Sequence, residues 1–279
     1  MKRTAAIVWT TLLLAGCDGT PLGYLGAAGP AARAIANLGW GLIAICIAAT
    51  LIVSALLAYA IWHRRATATD ELGGGDDRTP IRWIVAGTGI STVFLLAAAV
   101  WTLLTVQSVG DTSKPPALII DVTGHQWWWE AHYNSDTASR AFTTANELVI
   151  PAGVSVQINL RSSDVIHSFW VPKLAGKTDT IPGITNVTRI EADASGIYRG
   201  QCTEFCGLQH AQMAFNVVAM TQGDFTRWCD TQLQAAKPSS TDPGQQLFLQ
   251  KCASCHTIRG LTAGGILGPD LSHFGSRLV

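Results

Sequence analysis

The sequence predicts a membrane α-hairpin followed by an all-β sandwich or barrel, with the start of a small helical module at the C-terminus. Three observations predict this: two long apolar runs in the first hundred residues, a change after Pro115-Pro116 to short Val/Ile-rich segments, and a Lys-Pro-Ser-Ser-Thr-Asp-Pro stretch near the end. The 279-residue chain is 48% hydrophobic with formal net charge +0 and mean hydropathy +0.26, more apolar than an average soluble protein. Its neutral balance argues against a nucleic-acid partner, which calls for a basic face.

Residues 1–17 read as a signal peptide: Lys2-Arg3, an apolar run from Ala5 to Ala15, and Leu14-Ala15-Gly16-Cys17. The last four resemble a bacterial lipoprotein box, which implies lipid on Cys17; an ordinary signal segment with an incidental cysteine is the alternative. The hairpin is expected over 38–105, its spans running from Leu38 to Trp62 and from Ile81 to Leu104. Each exceeds the roughly 20 residues a helix needs to cross a bilayer. Trp40 and Trp62 flank the first and Trp83 and Trp101 the second, as interfacial anchors do. The loop between them holds His63, Arg64, Arg65, Arg78 and Arg82, which puts it on the cytoplasmic side and both outer ends outside. Cys46, in mid-helix, reads as a small packing residue.

The exported part, 115–236, should be β. Segments 117–122, 148–150, 154–160, 187–192 and 214–219 are rich in Val and Ile, and Val154, Val156, Ile158 and Leu160 alternate with polar neighbours. Gly and Pro punctuate them at 151–153, 172–176, 182–183 and 195–196. Residues 223–236 read as a closing helix with Phe225, Trp228 and Leu233 inward; Cys229 on it reads as a lone buried thiol and Met220 as core.

The chemistry concentrates in Gln201-Cys202-Thr203-Glu204-Phe205-Cys206-Gly207-Leu208-Gln209-His210-Ala211-Gln212-Met213. Two thiolates, an imidazole and a thioether occupy spacings of four, four and three. Soft sulfur with imidazole selects copper over harder cations, and two cysteines this close can bridge two metals. A structural zinc on Cys202, Cys206, His210 and His167 is chemically allowed but needs no Met213. A Cys202–Cys206 disulfide is open to the metal-free chain in an oxidising compartment.

The spacing and the Thr-Glu-Phe filling resemble the binuclear copper (CuA) loop of cytochrome c oxidase subunit II, whose copper domain is cupredoxin-like. Asp164-Val165-Ile166-His167-Ser168-Phe169-Trp170-Val171-Pro172 resembles the segment that carries that family's other copper histidine. The resemblance implies Cys202 and Cys206 bridging two coppers, His167 and His210 each completing one, Met213 as weak axial ligand and the Glu204 carbonyl in the last position. It also implies that the Glu204 carboxylate helps hold Mg at the subunit I interface. Gly124-His125-Gln126-Trp127-Trp128-Trp129-Glu130 is similar to the family's Gln-Trp-Tyr-Trp stretch, with Trp128 in place of the tyrosine, and implies Trp127 where electrons come in. In place of a family glutamate at a proton-uptake entrance, Asp76-Asp77-Arg78-Thr79-Pro80-Ile81-Arg82-Trp83 offers only Asp77.

A linker at 237–243 leads to a partial cytochrome c domain at 244–279. Lys251-Cys252-Ala253-Ser254-Cys255-His256 carries Cys-x-x-Cys-His, the c-type haem attachment motif. Cys252 and Cys255 would form the thioethers and His256 would ligate iron. With Leu267-Gly268-Pro269-Asp270-Leu271 it resembles a class I cytochrome c. No methionine follows Met220 to serve as sixth ligand, His273 being a conceivable substitute, and so few residues cannot easily enclose a haem with their own core. A truncated domain is therefore expected.

The resemblance implies a multi-pass subunit of the bacterial inner membrane with copper and haem domains on the periplasmic side. Electrons from cytochrome c, fused or soluble, would pass to the haems of subunit I, where oxygen is reduced to water with proton translocation. The alternative is a membrane-anchored copper/haem carrier, or a truncated product, that never joins an oxidase. Other oxidase subunits, cytochrome c and membrane lipid are the implied partners.

Overall fold

The computed structural model describes residues 20–63, 78–110, 115–135, 137–235 and 243–278. Cys17 and the signal segment, the loop residues Arg64, Arg65, Asp76 and Asp77, and the linker residues 237–242 lie outside the described residues.

Two helices form one unit, α1 (Pro30–His63) and α2 (Arg78–Val109), both long and apolar enough to cross a membrane. α1 begins eight residues before the expected Leu38. Pro30 is preset for a first helical position and Ala31, Ala32, Arg33 and Ala34 are strong helix formers. Leu51, Ile52, Val53, Leu56 and Leu57 on α1, and Val93, Leu95 and Leu96 on α2, are exposed, a surface that lipid rather than water accommodates. Polar groups on the helices are satisfied internally: Thr50 donates to Cys46 O, Thr92 to Thr88 O and Thr102 to Ala98 O, each at 2.8 Å, as an apolar surrounding demands. Gly41 lets the helices close, since a Cβ there would lie 2.3 Å from the Trp101 ring. Cys46 is exposed on α1 rather than packed.

The second unit is a sandwich of ten strands: β1 (Leu118–His125), β2 (Trp128–Tyr133), β3 (Phe142–Ala145), β4 (Glu147–Pro151), β5 (Val156–Ser162), β6 (His167–Trp170), β7 (Thr178–Thr180), β8 (Asn186–Ile190), β9 (Gly196–Cys202) and β10 (Ala214–Met220). One sheet runs β3-β2-β1-β5-β8 and the other β4-β10-β9-β6-β7, with β1/β5 and β4/β10 parallel and the remaining pairs antiparallel. The expected two-layer β fold is borne out. The core is the facing inner surfaces, where Trp129 meets Phe169 edge-on and Phe215 at a tilt, and Phe169 stacks on Phe215 at 4.7 Å. Ile120, Ile158 and Leu160 of one sheet and Leu148, Ile150 and Val217 of the other are fully buried. Five strands went unread in the sequence because β2 is aromatic, β7 is Thr-Asp-Thr, and β3, β6 and β9 mix polar residues with glycine or aromatics.

The closing helix α3 (Gln222–Gln232) is capped by Thr221, whose hydroxyl accepts from Asp224 N at 3.2 Å. It ends four residues earlier than expected. Phe225 is buried, Trp228 packs edge-on against Tyr133 and Phe142, and Met220, Cys229 and Leu233 sit half-buried against the core. A last helix, α4 (Pro243–Lys251), precedes an irregular segment to Leu278.

Candidate metal centre

The strand order brings two distant segments together. His167 opens β6, Cys202 ends β9, and these neighbours pair at Phe169 with Cys202. The loop 203–213 joins antiparallel β9 to β10, and its neck is closed by Cys202 N donating to Met213 O at 2.9 Å. Gln201 reinforces it, its amide reaching the carbonyls of His210, Ala211 and Met213 at 3.3–3.4 Å. Gly207 holds a φ of +117° with the Trp127 ring 3.1 Å from where a Cβ would be, so only glycine suits the turn.

Within this frame the donors converge. Cys202 Sγ lies 3.8 Å from Cys206 Sγ, and Cys206 Sγ lies 3.6 Å from His210 Nδ1 and 3.7 Å from Met213 Sδ. Cys202 Sγ is 3.3 Å from the Glu204 carbonyl. The ligand atoms of His167, Cys202 and Cys206 all lie within 4.8 Å of one another. His167, Cys202, Cys206 and Met213 are buried. His167 Nε2 sits 2.8 Å from Asp164 Oδ1, whereas its buried Nδ1 has no hydrogen-bond partner. A buried imidazole nitrogen left free beside two thiols is what a metal ligand requires.

The thiols are electrostatically unequal. Burial works to raise the Cys202 pKa, but the adjacent His167 imidazole and the backbone groups around the sulfur outweigh it and bring the thiol down to about 6. Burial and the adjacent Cys202 charge push Cys206 up to about 12. Cys202 is thus the readier of the two to lose its proton, and metal uptake must expel the proton that Cys206 keeps. Such a donor set, two soft thiolates with two imidazoles, a thioether and a carbonyl, suits two copper ions and offers no acidic pair for a hard cation.

Gln126 and Trp127 grip the loop, donating to Cys206 O at 2.7 and 3.1 Å. Trp128 stacks on His125 at 4.2 Å. The Glu204 side chain points outward, half-exposed, 3.8 Å from Lys177 Nζ. Two residues that orient the site, Asp164 and Gln126, carried no role in the sequence reading. An acidic residue three positions before His167 was the available signal.

In the tail, His256 N and Cys255 N bond back to Cys252 O, which gathers the three attachment residues in one turn. His256 Nδ1 is 2.8 Å from Pro269 O, which leaves Nε2 as the free donor, and a Cβ on Gly268 would sit 2.5 Å from the imidazole ring. Ile266, Leu267 and Phe274 are exposed, an apolar surface of the kind a haem face covers. His273 Nε2 is instead bonded to Gln234 O at 3.0 Å.

A β-sandwich with this sulfur–imidazole cluster, joined to apolar helices and to a Cys-x-x-Cys-His segment, defines a haem–copper oxidase component, and comparison with known proteins agrees. Residues 118–220 match the family model of the cytochrome c oxidase subunit II periplasmic domain, and residues 241–278 match that of cytochrome c. Cytochrome c oxidase subunit 2 of Alkalihalophilus pseudofirmus is 33% identical over 292 residues, covering 100% of this chain and 82% of that protein. The same subunit of Bacillus sp. (strain PS3) is 33% identical over 223 residues, 73% of this chain and 60% of its own length. The periplasmic domain of subunit II of cytochrome oxidase (CoxB) of Bradyrhizobium japonicum is 30% identical, covering 43% of this chain and 95% of that one, with a TM-score of 0.40. The chain belongs to the cytochrome c oxidase subunit II family. Its first match implies the binuclear copper centre and its second implies haem.

Proposed function

We propose that this chain is the electron-receiving subunit of a respiratory oxidase of the bacterial inner membrane, taking electrons from cytochrome c for the haems of subunit I, where oxygen is reduced to water with proton translocation. The observation that carries this reading is the convergence of His167, Cys202, Cys206, His210, Met213 and the Glu204 carbonyl within one buried cluster. Bound there, a copper pair supplies one-electron exchange with little change of ligand geometry.

The chain's own residues supply the rest. Cys202, Cys206, His167 and His210 would hold the copper pair, with Met213 and the Glu204 carbonyl as its further donors. Asp164 holds the His167 ring, and Gln126 and Trp127 hold the Cys206 carbonyl, so the ligands stay in one arrangement. Trp127, half-buried on the loop, is the electron input point. The outward Glu204 carboxylate, beside Lys177 here, would help hold Mg at subunit I. Cys252 and Cys255 would hold a haem covalently and His256 would ligate its iron, and Cys17 would carry lipid.

The test is purification of the full chain in detergent from cells supplied with copper. Two coppers per chain, a purple mixed-valence spectrum and co-purification of a haem–copper subunit I are expected. A colourless single-zinc product would overturn the copper assignment, and a chain that brings down no subunit I would overturn the oxidase role.

A further inference from the structure

We infer that Glu147 and Asn216 form a receptor that holds the haem-attachment segment on the copper sandwich by capturing the backbone of Leu278. The two are register partners on parallel β4 and β10, and both are buried polar side chains on strands that are otherwise apolar. Leu278 N donates to Glu147 Oε2 at 2.7 Å, and Asn216 Nδ2 donates to Leu278 O at 2.5 Å. One residue thus has both main-chain groups taken, as a neighbouring strand would take them, but by side chains. Among the described residues neither Glu147 nor Asn216 makes another side-chain hydrogen bond. With the tail in place each of these buried polar side chains has a hydrogen-bond partner, as burial requires.

Other contacts agree with a docked tail. Arg259 Nη2 donates to Ala141 O at 3.3 Å, and His273 Nε2 meets Gln234 O at 3.0 Å. Arg277 is half-buried, its guanidinium donating to Asp270 O and Ser272 O at 2.6 and 2.9 Å and lying within the field of Glu147. Asn216 stands three residues after Met213 on the same chain run, and Asn146, next to Glu147, accepts from Trp129 N through its side chain at 2.9 Å. The receptor is therefore built on β10, which the copper loop runs into, and on β4, whose preceding residue Asn146 bonds to the tryptophan strand β2. Its consequence, which rests on the proposed function, is a haem donor held at a set position rather than one swinging on a tether.

The docking is tested without electron transfer, by amide hydrogen exchange on the full chain in detergent, read on peptides from 257–277. We compare the unaltered chain, the Glu147→Ala/Asn216→Ala double variant and Leu278→Pro. The proline removes the Leu278 N–H from the tail side, and the extended backbone of Arg277 (φ −76°, ψ 147°) already accepts a following proline. Exchange in the tail should be at least tenfold faster in both variants, with peptides from β9 and β10 unchanged in Leu278→Pro. Should the double variant unfold, Leu278→Pro decides alone. Tail exchange in Leu278→Pro equal to that of the unaltered chain, or already at free-chain rates in the unaltered chain, would overturn the receptor. Neither result depends on whether copper, haem or subunit I is present.

Discussion

Asp164 and His167 are joined by a 2.8 Å contact between a carboxylate oxygen and Nε2 of a fully buried imidazole. A carboxylate only accepts, so Nε2 carries the proton and Nδ1 faces the thiols with its lone pair. Asp164 also accepts from Gln126 N and Val165 N, each at 2.7 Å. Burial works to raise its pKa, but the hydrogen bonds from His167 and these amides outweigh it and keep it ionised below the usual carboxylate range. Asp164→Ala should lower copper affinity by about 10–100-fold, the usual cost of losing an orienting partner. Titration against a competing chelator measures this, and affinity within threefold of the parent would refute the role.

Met213 is fully buried with Sδ 3.7 Å from Cys206 Sγ. Met213→Leu keeps the volume, so the metal-free chain should lose less than about 1.5 kcal/mol. Two coppers should still bind, with a shifted reduction potential, because a weak axial ligand tunes potential rather than holding the metal. Potentiometry and metal analysis on one preparation check both halves.

Tyr133 ties sheet to sheet at a single point: its hydroxyl donates to Val149 O at 2.9 Å and accepts from Val149 N at 2.7 Å. Burial drives the phenol pKa well upward, so it stays protonated and can do both. Tyr133→Phe strands two buried main-chain groups and should cost about 1–3 kcal/mol in denaturant unfolding. The copper spectrum should be unchanged.

Gly29 precedes α1 where the chain is clasped to the sandwich: Ala28 N donates to Lys173 O and Ala28 O accepts from Asp193 N, both at 2.8 Å, and Arg33 pairs with Asp193. A Cβ on Gly29 would lie 2.1 Å from Glu191 O. Gly29→Ala should cost about 1–3 kcal/mol through overpacking, seen as faster hydrogen exchange at Ala28 and Asp193.

Asp121 gives a pH signature. Burial works to raise its pKa, but amide donors Asn134 and Asn159, at 2.8 and 2.7 Å, and the charge of Arg161 bring it below its ordinary value. A carboxyl depressed on folding stabilises fully above its unfolded pKa of about 3.9 and loses that contribution as pH falls from there through its lower folded value. Asp121→Asn should therefore be less stable than the parent at pH 7, with the difference shrinking as the pH falls below the ordinary carboxylate range, as unfolding midpoints across pH will show.

Much was legible in the chain because the information is local. The spans are contiguous apolar runs, β5 alternates with period two, and the copper loop carries its cysteines, histidine and methionine within twelve positions, so a reader needs no fold to see them. His167 was identifiable only by resemblance, since spacing says nothing about a residue thirty-five positions from Cys202.

Tertiary structure decided the rest. The pairing of β6 with β9 sets His167 against the thiols, and the neighbouring groups shift the two cysteines in opposite directions, Cys202 down and Cys206 up. It also turned Asp164 and Gln126 into positioning groups and gave Glu147 and Asn216 a shared partner in Leu278. Composition and periodicity report what each residue prefers to touch; which distant residue it touches depends on strand order, and strand order is settled by the whole core at once.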